Sequence, residues 1–198
     1  MTLKTEYLTI ASPASISHVE KKSVFLTHSY YVKSENEAHS LVLEARKKHH
    51  DATHTVYAYY IYGENDQAAQ KFFDDGEPSG TAGRPVLDAI LRLNLENVLV
   101  IVTRFFGGTK LGAPGLMRAY GKAASLCLAA SGTKHFTFCK KYSFTIDYSQ
   151  LVKVELLIEN SSSTLISKEF SENVRITLDV PIAEYERFVE ELQQAGHK

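Results

Sequence analysis

The chain carries only two cysteines in 198 residues, Cys127 and Cys139. That excludes a disulfide scaffold and a four-cysteine metal site, and it fits a reducing compartment. No stretch approaches the roughly 18 apolar residues of a membrane span. The first thirty residues lack the apolar centre of a signal peptide, so a cytoplasmic location is expected. A strong net charge is missing too: the balance is −1, too small for global attraction to nucleic acid or anionic membrane. Two catalytic fingerprints are absent. Gly76-Glu77-Pro78-Ser79-Gly80 is not a Gly-x-Ser-x-Gly elbow, because the positions two before and two after Ser79 are Glu77 and Thr81, not glycine. The glycines and lysine between Gly107 and Gly112 fall at the wrong spacing for a P-loop. There is no internal repeat or low-complexity tract. The apolar fraction of 44% and charged fraction of 23% are those of a globular chain, long enough for one large or two small domains.

The informative stretch runs from Asp74 to Cys127. It opens on DDGEPSGTAG, whose Gly76, Pro78, Gly80 and Gly83 are incompatible with one helix or central strand. Asp74, Asp75, Ser79 and Thr81 can turn or cap that backbone through side-chain oxygens. From Pro85, a first-turn proline, the residues Val86, Leu87, Ile90, Leu91 and Leu95 recur at helical spacing. Asn94 to Asn97 is a polar break. Val98 to Val102 is an unbroken β-branched and leucine run, as a strand buried on both faces requires. Arg104, Phe105, Phe106 and the Gly107-Gly108 pair follow. A second helix is predicted from near Pro114, with Leu116, Met117, Tyr120 and Cys127 as its buried stripe and Gly132 as its C-cap.

On either side the pattern is of mixed type. Residues 1–17 read as turn-rich, with a short strand at Tyr7 to Ile10, and Ser23 to Val32 reads as a strand. Ser34 with Glu37 makes a capping-box pattern for a helix whose apolar face is Ala38, Leu41, Val42 and Ala45. A tyrosine-rich strand is predicted over Thr55 to Tyr62, and a turn over Gly63 to Asp66. Past Gly132 the order is a strand over Phe136 to Tyr148, a helix capped by Ser149, strands over Thr164 to Phe170 and Val174 to Val180, and a final helix bearing Tyr185, Phe188, Val189 and Leu192. That β-α-β-β-α order predicts helices on one face of an antiparallel sheet. The fold class is α+β in two domains, 1–134 and 135–198.

DDGEPSGTAG, RFFGGTKLG and GLMRAYGKA together resemble the hallmark of the YigZ/IMPACT family, as do KKSVF at Lys21 to Phe25 and ATHTVYAY at Ala52 to Tyr59. Val24 and Val56 depart from it, standing where the family often has arginine and cysteine, so no role is carried over to them. The resemblance implies an N-terminal domain similar to the second domain of a small-subunit ribosomal protein, an α/β sandwich. It implies a ferredoxin-like C-terminal domain similar to one in elongation factor G. It points to translation as the functional class. Eukaryotic members add a different N-terminal module that these residues do not resemble, and their kinase-pathway role is not implied.

Charge is unevenly spread. Between Gly83 and Leu126 six cations face two anions, a balance of +4, whereas 64–77 has five anions and one cation, −4. Arg84, Arg104, Lys110, Arg118 and Lys122 beside helix N-termini suit phosphate groups of RNA or a ribosomal component. The alternative for Arg104 is an ion pair with Asp74, Asp75 or Glu77 that holds the turns. Phe106, beside two glycines, is the best placed aromatic for stacking a base. A motif pocket is expected from His54, Asp74, Asp75, Glu77, Ser79, Thr81, Gly107 and Gly108. It carries the competing reading of an enzyme for a small phosphorylated or acidic molecule, with His54, Asp75, Glu77 and Ser79 as acid, base and nucleophile. A third reading is a protein adaptor. His49, His50, Asp51 and His54 lose helical i, i+4 geometry at the turn and have no adjacent fourth ligand, so neither metal nor cofactor is expected. Beyond residue 134 seven cations meet ten anions, a composition for docking a protein and not a nucleic acid.

Overall fold

A computed structural model describes residues 4–62 and 68–195. The chain divides into two compact units, Leu8–His135 and Phe136–Lys198, the latter joined by the N-terminal stretch ending at Tyr7. The predicted turn at Gly63 to Asp66 lies outside the described residues. In chain order the first elements are β1 (Glu6–Ile10), β2 (Ala14–Glu20), β3 (Ser23–Tyr31), α1 (Glu35–Lys48), β4 (His54–Tyr62) and β5 (Ala68–Phe73). Then come α2 (Gly83–Arg92), β6 (Val98–Phe105), α3 (Ala113–Ser131) and β7 (Thr133–Thr137), which pairs with β1.

The larger unit is built on an antiparallel sheet of order β2-β3-β6-β4-β5. Its middle strand, β6, is the apolar run of the sequence. Val98, Val100 and Val102 pack with α2 and α3 on one face, while Leu99 and Ile101 pack with α1 on the other. Both layers exclude water from β6, which is why it tolerates no polar alternation. The registry then decides where the site lies. It sets Arg104, near the end of β6, opposite Phe25 of β3 and His54 of β4.

Local signals hold at α1, where Ser34 Oγ accepts from Glu37 N at 3.2 Å. Glu37 Oε2 reaches one residue further back than the usual box, to Lys33 N at 2.8 Å. They fail at edge strands. β2 and β5 sit at the sheet margins with a single partner each, so neither needs a buried apolar run, and neither was legible. α2 ends at Arg92; Leu95 is buried from the following loop, and Asn94 and Asn97 turn the chain at φ 51° and 58°. Met117 is 48% exposed and leaves the stripe to Leu116, Tyr120 and Cys127.

The smaller unit has β8 (Cys139–Ile146), α4 (Leu151–Glu159), β9 (Thr164–Phe170), β10 (Val174–Pro181) and α5 (Tyr185–Gln194), with sheet order β8-β10-β9. Phe144, Ile146, Val154, Ile176, Leu178, Phe188 and Leu192 form one core, so both helices cover the same face. This is the predicted β-α-β-β-α arrangement. The expected strand from Phe136 to Tyr148 is instead two, interrupted at Phe138, whose N–H donates to Thr5 O at 2.9 Å. Ser149, the expected cap, lies inside a 3-10 turn, Tyr148–Gln150, that leads into α4; Asp147 caps that turn in a box with Gln150, and α4 itself has no side-chain cap.

Cys127 is buried, 3.6 Å from the carbonyls of Ala14 and Thr27, and burial pushes its thiol up. Cys139 is exposed. We therefore expect one thiol to react promptly with Ellman's reagent in native protein and the second only on adding denaturant. Prompt reaction of both would show that α3 opens readily.

Candidate functional site

The turn from Asp74 to Gly83 is organised by one carboxylate. Asp74 Oδ2 accepts from Gly80 N at 2.8 Å, and Oδ1 accepts from Ala82 N at 3.1 Å and Gly83 N at 2.8 Å. α2 has no side-chain cap of its own at Ala82, so Asp74 satisfies its first amides from eight and nine residues upstream. Thr81 Oγ1 closes the loop on Pro78 O at 2.7 Å. Gly83 and Gly107 are required by close approach. A Cβ on Gly83 would stand 2.8 Å from the backbone of Phe73, and one on Gly107 2.0 Å from that of Lys22.

Asp75 faces the other way. Its carboxylate accepts from Arg46 Nη2 at 2.7 Å and Thr55 N at 2.6 Å. His54 Nδ1 lies 2.7 Å from Asp75 O. A carbonyl only accepts, so Nδ1 carries the hydrogen, and Nε2 faces Glu77 Oε1 at 3.8 Å.

Glu77 is the hub. Its Oε1 accepts from Arg104 Nη1 at 2.5 Å and from the Tyr120 hydroxyl at 2.8 Å. Burial, and then the Glu77 charge, push the Tyr120 phenol well up, so it remains a neutral donor. The Arg104 guanidinium also meets Ser23 Oγ at 3.3 Å and lies 5.6 and 5.5 Å from the ring centres of Phe25 and Phe106. The expectation that Arg104 contacts external phosphate is corrected here. It is 5% exposed, and its charge is matched internally by Glu77. Ser23 Oγ in turn accepts from Gly107 N at 3.2 Å, tying the glycine pair to the same hub.

Above this hub lies a cavity of about 310 Å³ whose lining includes His54, Glu77, Pro78, Phe106, Lys110 and Leu116. Of the expected motif pocket, His54 and Glu77 meet there; Asp74, Asp75, Thr81 and Gly107 shape the loops around it. Ser79 is exposed and, among the described residues, makes no hydrogen bond with His54, so a serine–histidine nucleophile is not assembled. Gly108 adopts φ 83° in the turn that leads toward α3. Among the described residues no group of three or more His, Cys, Asp and Glu side chains converges as metal ligands.

The remaining predicted cations are elsewhere. Arg84 is held by Asp88 at 2.8 Å. Arg118 and Lys122 line an open groove of about 510 Å³ between α2 and α3, and Arg92 joins them there. Lys110 stands apart, at the smaller cavity. Arg92 and Tyr120 were not singled out as site residues. The signals were present in Arg92's position one turn beyond Asp88 and in the hydroxyl that a buried tyrosine must satisfy. Among the described residues no helix is long and apolar enough to cross a membrane.

The family model of the Impact N-terminal domain matches residues 21–128, and that of a domain of unknown function, DUF1949, matches 144–197. The chain is 40% identical over 185 residues to the IMPACT family member YvyE of Bacillus subtilis, covering 93% of this chain and 80% of that protein. It is 30% identical over 182 residues to the IMPACT family member YigZ of Escherichia coli, covering 92% and 89%. A crystal structure described as that of a hypothetical protein superposes with a TM-score of 0.68 at 28% identity, over 99% of this chain and 97% of the other.

Proposed function

The chain belongs to the IMPACT family, and on that premise we propose that it is a translation-associated factor whose α2–α3 groove contacts phosphates of RNA or a ribosomal component. Family resemblance supplies the setting, translation. The observation that carries the contact is the company Arg118 and Lys122 keep. They share one open groove with Arg92, and among the described residues neither makes an ion pair. Among the described residues that line the groove, the one anion is Asp88, and it is already engaged by Arg84. A cationic channel between two helices matches the spaced charge of a sugar–phosphate chain, to which each lysine or arginine adds an increment by releasing counterions. The smaller unit, with its excess of anions beyond residue 134, serves as a docking element for protein.

The test is fluorescence anisotropy with a labelled single-stranded RNA across a salt series. Wild-type affinity should fall steeply between about 50 and 200 mM salt. The double substitution Arg118→Glu/Lys122→Glu should weaken binding at least tenfold and flatten the log–log slope by about 1.4, from roughly 0.7 per neutralised phosphate. A salt-insensitive titration, or an unchanged slope in the double variant, removes the groove from the interface.

A further inference from the structure

The cavity above the Glu77–Arg104 pair is separate from the α2–α3 groove, and three features of it call for a ligand. First, Glu77 is almost wholly buried yet spends only one carboxylate oxygen. Arg104 Nη1 and the Tyr120 hydroxyl both donate to Oε1, His54 Nε2 stands 3.8 Å from the same oxygen, and Oε2 makes no hydrogen bond among the described residues. Arg104 therefore meets the carboxylate end-on, not as a fork, and its Nε is left without a partner as well. Oε2 is not among the fully enclosed unpartnered atoms of the described residues; it stands open at the cavity that Glu77 lines, where a ligand donor can reach it. Second, Phe106 is 47% exposed on the same wall, with the Arg104 guanidinium 5.5 Å from its ring centre. A ring so backed is a stacking platform. Third, Lys110 shares the lining and, among the described residues, pairs with no carboxylate.

The geometry points to a site for one unstacked nucleotide whose base carries an exocyclic amine: the ring lies on Phe106, the amine donates to Glu77 Oε2, and the phosphate faces Lys110. The inference rests on the reading of the protein as an RNA binder and deepens it by giving that binding a base preference. Cytosine offers an N4 amine donor. Uracil places a carbonyl at the same position, where it would oppose the carboxylate. Single-stranded RNA is read in this way, with splayed bases stacked on aromatic rings and hydrogen-bonded at their edges. The same chemistry is available from a strand or from a free nucleotide.

Glu77 cannot be substituted cleanly, because it also holds Arg104, so the base is varied instead. Anisotropy with labelled oligocytidylate and oligouridylate should show about tenfold tighter binding of the cytidine strand, as one good base-edge contact provides. Phe106→Ala, at an exposed position, should abolish that ratio. Arg118→Glu/Lys122→Glu should weaken both strands equally and keep the ratio. Equal affinity for the two strands, unchanged in Phe106→Ala but still salt-dependent, overturns the pocket and leaves the groove standing. If neither strand binds, the RNA reading fails, and saturation-transfer NMR with free CMP and UMP decides the rest. A CMP signal lost in Phe106→Ala assigns the site to free nucleotides, and no signal for either overturns it.

Discussion

Arg104→Leu is expected to lower unfolding stability by about 3–5 kcal/mol, because it strands a charge that the fold has enclosed. Glu77 would retain the Tyr120 hydroxyl, which cannot neutralise a carboxylate, and His54 Nε2 at 3.8 Å, which is too distant for a hydrogen bond. Urea denaturation followed by circular dichroism measures the loss, with the slope checked to confirm a two-state transition. Replacing both partners, Arg104→Leu/Glu77→Leu, removes the charge as well as its counterion. It should recover much of the deficit, as exchange of a whole buried pair often does. The variants also separate the two roles open to Arg104 from sequence alone. If Arg104→Leu stays within about 0.5 kcal/mol of wild type, the range of an ordinary surface change, while RNA affinity collapses, then Arg104 is a ligand contact after all.

The difficulty with Arg104 shows what a sequence conveys and what it withholds. A five-residue apolar run such as Val98 to Val102 has one physical solution, burial on both faces, and the strand appears where it was expected. The order of elements from Cys139 onward was equally legible, since hydrophobic period and turn residues both change along it. The fate of the charge at the end of the run was not. It depends on a register that brings His54 and Phe25 alongside it, and on a turn that carries Glu77 in from 27 positions away. Two of the five cations read as phosphate contacts, Arg104 and Arg84, are occupied by carboxylates in space. Arg118 and Lys122, at helical i, i+4 spacing, do share a face, and that much periodicity can tell. Arg92 completes their groove from another helix, which periodicity cannot tell. The edge strands β2 and β5 were missed for a related reason: a margin strand with one partner and a wet face needs no distinctive composition.

Asp74→Ala should cost about 2–4 kcal/mol, more than an ordinary helix cap, because three amide donors lose their acceptor together. Two of them belong to Ala82 and Gly83, which are buried, so water cannot readily substitute. Close packing forbids a simple rearrangement, since Gly83 sits against the backbone of Phe73 with no space for a shift in that direction. Asp74→Asn keeps one side-chain oxygen and should forfeit roughly half as much, for loss of a charge-assisted bond. Denaturant titration gives the magnitude. Hydrogen exchange at the amides of Gly80, Ala82 and Gly83 gives the location, and their protection should fall ahead of that of β6. Glu77 lies inside the same turn, with its N–H donating to Asp74 O at 3.0 Å. Loosening the turn should therefore weaken any preference for cytidine over uridine before it changes the salt-dependent contact at the α2–α3 groove. Stability within about 0.5 kcal/mol of wild type, with exchange at those amides unaltered, would mean that the turn is held by its glycines and Thr81 without the carboxylate.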